Sequence, residues 1–346
     1  MSEKIRVGLV GYGFASKTFH APLITGTSEM VLAAVSSSDA AKVHADWPAM
    51  QVVADPQALF DDPTLDLIVI PTPNDTHFPL ARAALNAGKH VVVDKPFTVT
   101  LAQAKELDAL AKEKGLLLSV FHNRRWDSDF LTLKKLLADG TLGEVSYVES
   151  HFDRFRPEVR QRWREMKGAG SGIWFDLGPH ILDQALQLFG VPVAINVDMA
   201  QLRPNAQTTD YFHAVLTYPQ RRVVLHGSML VAAESARFQV HGTRGSYVKF
   251  GLDPQEDNLK AGARPPCENW GFDARDGVLT LAEGDTMTES VYPTLPGNYP
   301  AYYAGIRDAI NGKGENPVPA ADAIAVMELI ELGQESADKR QTLQAG

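Results

Sequence analysis

Asp176 and His180 have residue types and a spacing suited to moving a proton. They follow the glycine-rich stretch Gly168–Gly172, and if residues 176–189 form a helix, the two side chains lie one turn apart on one face. An imidazole exchanges protons near neutral pH because its ordinary pKa is about 6.5. On their own, the aspartate could simply cap the helix and the histidine could pack in a core. The pair therefore indicates acid–base chemistry only if other reactive groups accompany it.

Lys95 is a candidate partner from a different region of the chain. It lies in Asp94-Lys95-Pro96, directly after the apolar run His90–Val93, and the proline restricts the backbone of the lysine that precedes it. At the carboxyl end of a strand, this ammonium group would project into the ligand-binding crevice of a parallel sheet. An ordinary surface lysine is the alternative.

Residues 1–122 alternate short apolar runs with helical patterns, which predicts a doubly wound parallel sheet. The runs are continuous and rich in Val, Ile and Leu, as expected for strands that are buried on both faces. They are Ile5–Val10, Met30–Val35, Leu67–Ile70, His90–Val93 and Leu116–Val120. Helices are predicted at Phe78–Ala87 and at Thr100–Lys114, and the second begins with a capping box formed by Thr100 and Gln103.

A glycine-rich turn follows the first of these strands. In Gly11-x-Gly13-x-x-Ser16, Gly11 permits the tight turn and Gly13 lets the backbone approach a pyrophosphate, which the N–H groups of the next helix would bind. Ser16 stands where the motif usually has its smallest residue. Because the turn follows the strand that opens a βαβ series, it predicts a dinucleotide site.

The end of the second strand bears on which dinucleotide is bound. NAD-specific sites place a carboxylate there, about 20 residues after the glycines, to bind the ribose 2′-hydroxyl. Here the strand ends in Ser36, Ser37 and Ser38, and the first acid is Asp39. Hydroxyls can donate to a 2′-phosphate and Lys42 could add positive charge, so NADP is favoured over NAD. The serines could also cap the next helix.

Further cofactor contacts are expected from loops at the carboxyl ends of other strands. In Pro71–His77 the prolines set a rigid turn, Asn74 could bond to ribose or nicotinamide, and His77 could contribute to the site or merely begin a helix. Arg125 lies where the chain leaves the first domain, and a Trp-Arg pair precedes the glycine-rich stretch. The candidate set for the cofactor is Gly11, Gly13, Phe14, Ser36, Ser37, Thr72, Pro73, Asn74, His77, Lys95, Arg125, Trp163 and Arg164.

From residue 123 the pattern changes to strands that follow strands, which predicts a largely antiparallel open sheet. A helix at Asp127–Ala138 leads into a long strand at Glu144–Asp153. The later strand-like runs are Val193–Leu202, Tyr211–Tyr218, Arg222–Val231, Ala236–His241 and Ser246–Phe250. The region 252–300, which is rich in Gly, Pro and Asp, is interpreted as a loop excursion.

The chain is therefore predicted to be an α/β protein with two domains. Residues 1–122 would form a Rossmann domain around a doubly wound parallel sheet. Residues 123–346 would form an α+β domain around a large open, mostly antiparallel sheet. The closing helices, Tyr302–Asn311 and Ala320–Ala337, are expected to pack back near the first domain.

Composition excludes several classes of protein. With 346 residues, 45% of them hydrophobic, the chain can bury about two cores. A net charge of −9 argues against nucleic-acid and anionic-membrane partners. Cys267 is the single cysteine, so no intrachain disulfide forms, and no His/Glu set is spaced for zinc, so we expect no metal. No apolar export segment or membrane span is recognised, which predicts a soluble cytoplasmic protein.

Four motifs in order resemble the Gfo/Idh/MocA oxidoreductases: Gly11-x-Gly13, Thr72-Pro73-Asn74, Asp94-Lys95-Pro96, and the glycine-rich stretch with Asp176 and His180. The resemblance covers essentially the whole chain. One departure is visible, because the family usually has Glu where this chain has Asp94. Within the family, Phe19-His20-x-Pro22, the serines that end the second strand and the segment from His151 to Arg164 resemble NADP-dependent scyllo-inositol dehydrogenases.

The resemblance implies hydride transfer between a nicotinamide cofactor, NADP or else NAD, and a secondary alcohol or ketone of a cyclitol or sugar-like polyol. His180 would be the general base or acid, with Asp176 or Tyr303 as the next candidates. Lys95 would polarise the carbonyl oxygen, and Asp176 would bond a substrate hydroxyl and bias the imidazole. The free face of the second sheet typically forms a subunit interface in this family, which implies a homodimer or homotetramer.

Two other functions stay open at this point. Some proteins of this fold bind a dinucleotide and act as non-catalytic regulatory sensors, although such proteins can dispense with proton-transfer residues, and Lys95, Asp176 and His180 are all present here. Alternatively, a dehydrogenase of the same fold could act on a non-sugar substrate such as a dihydrodiol or a bilin.

Overall fold

The computed structural model describes residues 4–346, and these residues form two compact units, each built from separate parts of the chain. Unit 1 comprises residues up to Trp126, Pro254–Trp270 and Asn298–Ile324. Unit 2 comprises Asp127–Asp253, Gly271–Gly297 and Ala325–Gly346. The prediction from the sequence divides the chain once, after residue 122, whereas the contacts assign two later segments to unit 1.

Unit 1 contains a six-stranded sheet in which all neighbouring strands are parallel. Its strands are β1 (Ile5–Val10), β2 (Met30–Ser36), β3 (Gln51–Val53), β4 (Leu67–Ile70), β5 (His90–Val93) and β6 (Leu118–Val120). Their order is β3-β2-β1-β4-β5-β6, the doubly wound order that reverses direction between β1 and β4. The Rossmann prediction is therefore confirmed. Strand β3 was missed, because three residues are too short for a periodic signal.

Unit 2 contains a nine-stranded, mostly antiparallel sheet, as predicted. Its strands are β7 (Val145–His151), β8 (Ala194–Ala200), β9 (Tyr211–Tyr218), β10 (Arg221–Ser228), β11 (Ala236–Gly242), β12 (Gly245–Phe250), β13 (Gly277–Glu283), β14 (Thr286–Tyr292) and β15 (Leu343–Gln344). Their order is β14-β13-β12-β11-β7-β10-β9-β8-β15, and among the described strands of this sheet only the β7–β10 pair is parallel.

The helices predicted from the sequence are present with shifted ends, and the short helices at 57–60 and 255–260 were not predicted. They are α1 (Ala21–Thr25), which continues a π-helical turn at Ser16–His20, then α2 (Ala40–Asp46), α3 (Gln57–Phe60), α4 (Asn74–Asn86), α5 (Leu101–Lys114), α6 (Ser128–Ala138), α7 (Ile173–Phe189), α8 (Gln255–Lys260), α9 (Pro300–Ile310) and α10 (Ala320–Lys339). The capping box of α5 is present, since the Thr100 side chain accepts from the Gln103 N–H and the Gln103 side chain accepts from the Thr100 N–H.

The interpretation of 252–300 as a loop is wrong. This region contains α8 and the β13–β14 hairpin. Six of the seven residues of β14 are exposed. The strand therefore lacks the alternation of apolar and polar residues from which a strand is predicted.

The guanidinium of Arg237 links the helices of unit 2 to the sheet. On β11, it donates to Asp129 of α6 at 3.1 Å, to Gln184 of α7 at 2.7 Å and to Ser150 of β7 at 2.6 Å. Arg237 and Asp129 are both almost fully buried. Because neither charge can be solvated, the ion pair fixes α6 and α7 against this part of the sheet.

We expect Arg237→Met to lower the free energy of unfolding by about 3–5 kcal/mol, because Asp129 would be left as an uncompensated buried charge. Arg275→Met is the matched control, since Arg275 pairs with Glu234 on the surface and such pairs contribute about 0–1 kcal/mol. Denaturant unfolding of both variants measures the difference. Equal losses would show that the buried pair does not hold the helices.

Candidate active site

The turn after β1 has the conformation that a dinucleotide pyrophosphate requires. Gly11 has φ +78°, its N–H donates to the Ser36 carbonyl at 2.8 Å, and the Ser16 hydroxyl donates to the Gly11 carbonyl at 2.9 Å. A Cβ added at Gly13 would meet no atom within 4 Å. The turn is thus fixed by the fold and has open space beside its second glycine, so these residues fit the predicted cofactor.

At the end of β2, the three residues after Val35 have different environments. Ser36 is buried, and its hydroxyl accepts from the Gly11 N–H at 3.3 Å, so its side chain supports the glycine turn. The Ser37 hydroxyl accepts from the Asp39 N–H at 3.1 Å. Asp39, and not a serine, caps α2 by accepting from the Lys42 N–H. Lys42 is exposed.

His77 connects two of the predicted loops. It is fully buried, and its ring nitrogens lie 2.9 Å from the carbonyl oxygens of Pro96 and Thr72. Burial lowers the pKa of the His77 imidazole, although Asp94 and these carbonyls oppose the shift. The ring therefore supports the loop after β4 and the loop after β5, and Asn74, the buried first residue of α4, follows the first of them.

The residue before Lys95, Asp94, belongs to a series of buried polar contacts that the sequence did not reveal. The Lys95 N–H donates to the Asp94 carboxylate at 2.7 Å. His20 Nε2 lies 3.9 Å from the same carboxylate, and His20 Nδ1 lies 2.6 Å from the Tyr303 hydroxyl. Burial alone would raise the pKa of Asp94, but His20, Lys95 and His77 together lower it to about 2. An ionised Asp94 thus lies beside the backbone of Lys95 at neutral pH.

Tyr303 is poorly suited to be a base. It is fully buried, and burial raises the pKa of its phenol well above the ordinary value. Its contact with His20 instead attaches α9 to the π-helical turn after the glycines. The sequence drew attention to His20 through the motif Phe19-His20-x-Pro22, but only the fold shows that residues 20, 94 and 303 meet in space.

Arg125 has partners within unit 1. One guanidinium nitrogen lies 2.9 Å from the Asp322 carboxylate and 3.3 Å from the Pro317 carbonyl. The side chain is only 9% exposed. It therefore holds the first turn of α10 and the segment before it, and a contact with the cofactor stays a prediction.

In unit 2, two arginines converge on Asp176. The Asp176 carboxylate lies 3.7 Å from the Arg154 guanidinium and 3.5 Å from that of Arg164. Helix α7 begins at Ile173, three residues before the predicted start, so Asp176 is in the first turn and does not cap the helix. A carboxylate is favoured there by the helix dipole.

His180 lies one turn further along α7. The residue is 6% exposed, and its ring stacks on Phe152 with 6.4 Å between centroids and 23° between planes. The carboxylate and the imidazole are thus on successive turns of one helix, and both arginines reach the first of them.

Buried ion pairs hold the arginine-rich segment that precedes α7. Arg203 is 4% exposed and donates to Asp210 at 2.9 Å, to Glu165 at 3.1 Å and to the Arg156 carbonyl at 3.1 Å. A cavity lies beside this cluster. Its lining includes Arg164, Asp176, Arg203, Thr208, Thr209 and Met229. Its volume of about 10 Å³ has room for one water molecule.

The two tryptophans of this region have different environments. The guanidinium of Arg164 lies 4.3 Å from the centroid of the Trp163 ring. Trp174 is buried, donates to the Ile330 carbonyl at 3.0 Å and packs edge-on against Phe212. Trp174 is therefore part of the core of unit 2.

Unit 1 has the strand order of a Rossmann domain, with a glycine turn after β1 and polar residues in the loops that follow β4 and β5. These features define it as a dinucleotide-binding domain. Residues 5–122 match the family model for the oxidoreductase NAD-binding Rossmann fold, and residues 134–344 match the C-terminal alpha/beta domain of the same family. The chain belongs to the Gfo/Idh/MocA family of oxidoreductases, which confirms the resemblance drawn from its motifs.

Relatives match the chain over nearly its full length. The uncharacterized oxidoreductase YdgJ of Escherichia coli (strain K12) is 73% identical, with 99% of each chain covered. The scyllo-inositol 2-dehydrogenase (NADP(+)) IolW of Bacillus subtilis (strain 168) is 39% identical, covering 99% of this chain and 96% of the relative. The solved structure of YPO2259 from Yersinia pestis is 68% identical with a TM-score of 0.97, covering 100% and 98% of the two chains.

Residues 4–346 include no helix with the length and apolar character needed to cross a membrane.

Gly172, the residue before α7, should not tolerate a side chain. Its φ of +86° and ψ of +166° are essentially restricted to glycine, at a cost of about 1–3 kcal/mol for other residues. An added Cβ would also lie 3.1 Å from the Thr209 N and O atoms. We expect Gly172→Ala to lower the melting temperature, as measured by calorimetry. Gly168→Ala, whose Cβ would meet no atom within 4 Å, is the control and should leave it nearly unchanged.

Proposed function

We propose that this protein is an NADP-dependent dehydrogenase that interconverts a secondary alcohol and a ketone on a cyclitol or sugar-like polyol. The observation that carries the proposal is the convergence of Arg154 and Arg164 on Asp176, one helical turn from His180. A ligand with several hydroxyl groups can donate to the carboxylate and accept from the guanidinium groups. The name of the relative IolW, a scyllo-inositol 2-dehydrogenase (NADP(+)), supports the same substrate class.

A bound nicotinamide dinucleotide accepts or donates the hydride in this reaction. His180 takes the hydroxyl proton during oxidation and returns it during reduction. Lys95 places positive charge at the substrate oxygen, which stabilises the charge that develops there. Asp176 accepts a hydrogen bond from a neighbouring substrate hydroxyl and biases the imidazole of His180.

The preference for NADP rests on the residues at the end of β2. Asp39 stands three residues beyond the end of β2, and one of its carboxylate oxygens caps α2 by accepting from the Lys42 N–H. Ser37 and Ser38 are hydroxyl donors in the same turn, and the ammonium group of Lys42 is exposed. These groups favour a 2′-phosphate over a 2′-hydroxyl.

We expect the purified protein, screened against inositols, inososes, sugars and polyols, to show dinucleotide-dependent turnover. The absorbance of the reduced nicotinamide measures it. The kcat/KM with NADP should exceed that with NAD, and Lys42→Ala should lower the NADP value selectively. Turnover of no polyol, ketose or inosose with either dinucleotide would contradict the proposed function, and activity confined to dihydrodiols would replace the substrate class.

His180→Ala should lower kcat by roughly 10²–10⁴-fold because the proton acceptor is removed, while the affinity for the cofactor changes little. Lys95→Ala should lower kcat to a comparable degree, since the substrate oxygen loses its positive partner. Because both residues act in one step, the double variant should be less impaired than the product of the single losses. Steady-state kinetics with the cofactor dissociation constant measured separately tests this.

A fully multiplicative double variant would show that Lys95 and His180 act independently. Unchanged kcat in His180→Ala would transfer the role of the base to another group, with Asp176 as the next candidate.

A further inference from the structure

Three histidines form a row across the centre of the sheet of unit 2. In the parallel β7–β10 pair, His151 is opposite His226, and in the antiparallel β10–β9 pair, His226 is opposite His213. The ring centroids of His151 and His226 are 5.0 Å apart, and those of His226 and His213 are 5.6 Å apart. On β9, the neighbour Phe212 packs on Trp174 of α7. Because successive strand residues face opposite sides, the histidine row lies on the face away from α7.

Asp153 lies between two of these rings. One carboxylate oxygen is 3.1 Å from His151 Nδ1, and the other is 3.5 Å from His226 Nε2. One ligand atom from each of His151, Asp153 and His226 can be chosen so that all three lie within 4.8 Å of one another. A zinc-class ion with bonds of about 2.0–2.2 Å to nitrogen and oxygen holds tetrahedral ligand atoms about 3.4 Å apart, which is near the 3.1 and 3.5 Å that separate the Asp153 carboxylate from the two imidazoles.

We propose that His151, Asp153 and His226 bind a divalent transition-metal ion such as Zn²⁺. Two imidazoles and one carboxylate are a donor set that these ions favour. The proposal concerns a site on the opposite face of the sheet from α7, which carries Asp176 and His180, and it is therefore separate from the hydride-transfer chemistry.

The groups around the cluster orient its ligands as they do at metal centres. His151 Nε2 lies 3.1 Å from the Glu149 carboxylate, and Glu149 in turn accepts from the Tyr147 hydroxyl and from the Gln239 amide. A histidine ligand commonly donates its second ring N–H to a carboxylate in this way. The bond turns His151 Nδ1 toward Asp153.

Two hydrogen bonds also fix the orientation of the Asp153 carboxylate. It accepts from the Ser228 N–H at 3.1 Å and from the Ser235 hydroxyl at 2.6 Å. His226 Nδ1 is buried and has no hydrogen-bond partner among residues 4–346. His226 Nε2 is the nitrogen that faces Asp153, so Nε2 would bind the ion and Nδ1 would carry the proton of the neutral ring.

A proton on His151 Nδ1 competes with the metal ion for that nitrogen. Burial alone would lower the pKa of His151, but the carboxylates of Asp153 and Glu149 outweigh it and raise the pKa. A protonated His151 could therefore bridge the two carboxylates without any ion. An ion-pair network only is accordingly one of the outcomes that the experiment distinguishes.

The test uses tag-free, full-length protein that is stripped with a chelator, dialysed and titrated with Zn²⁺ by calorimetry, with metal content measured by mass spectrometry. We expect one ion per chain. His226→Gln and Asp153→Asn should weaken binding by more than 100-fold, and Glu149→Gln should weaken it by about 10–100-fold. His44→Gln, on α2 of unit 1 with its ring 3.0 Å from the Met50 carbonyl, is the matched control and should bind as the wild type does.

An anomalous-scattering peak at the cluster in crystals grown with Zn²⁺ gives the location without any variant, so the proposal stays testable if a variant fails to fold. Three results would overturn it: binding by His226→Gln equal to that of the wild type, an equal loss in His44→Gln, or no ion at the cluster in the crystal. Any of them would leave an ion-pair network only.

Discussion

The burial of arginine charge constrains unit 2 more than any other interaction. Arg237 cannot be solvated, so α6, α7 and β7 must present Asp129, Gln184 and Ser150 to it. Arg203 imposes a similar requirement on the segment before α7 through Glu165 and Asp210. Removing one partner of such a pair leaves the other charge buried and uncompensated. The start of α7, with Asp176 and His180, is therefore positioned by contacts that take no part in proton transfer.

In unit 1 the corresponding constraint comes from backbone carbonyl groups. Parallel strands end at one edge of the sheet, and the loops there must be supported without filling the space that a cofactor needs. His77 does this by packing its ring nitrogens 2.9 Å from the carbonyl oxygens of Thr72 and Pro96, and Ser36 does it by accepting from the Gly11 N–H. Two residues predicted to contact the cofactor thus direct their polar side-chain atoms into the scaffold.

The elements that depend on local sequence could be predicted, whereas contacts between residues distant in the sequence could not. The buried strands β1, β2, β4 and β5, and the capping box of α5, follow from apolar runs and from short-range spacing. Strand β14 escaped because its side chains are exposed, and α7 began early because Gly172, with a positive φ, ends the loop before Asp176. The approach of His20 to Asp94, and of His151 to His226, depends on packing and strand register between residues about 75 positions apart.

The alternation of a single strand separates the two polar clusters of unit 2. Backbone bonds from Phe152 to the His226 carbonyl and from Arg154 to the Ser228 carbonyl continue the pairing of β7 with β10. Phe152 and Arg154 face α7, where they contact His180 and Asp176. His151 and Asp153 face the other side of the sheet. Because these four residues are consecutive, an ion on one face would stiffen the backbone that positions the reactive groups on the other, without exchanging charge or protons with them.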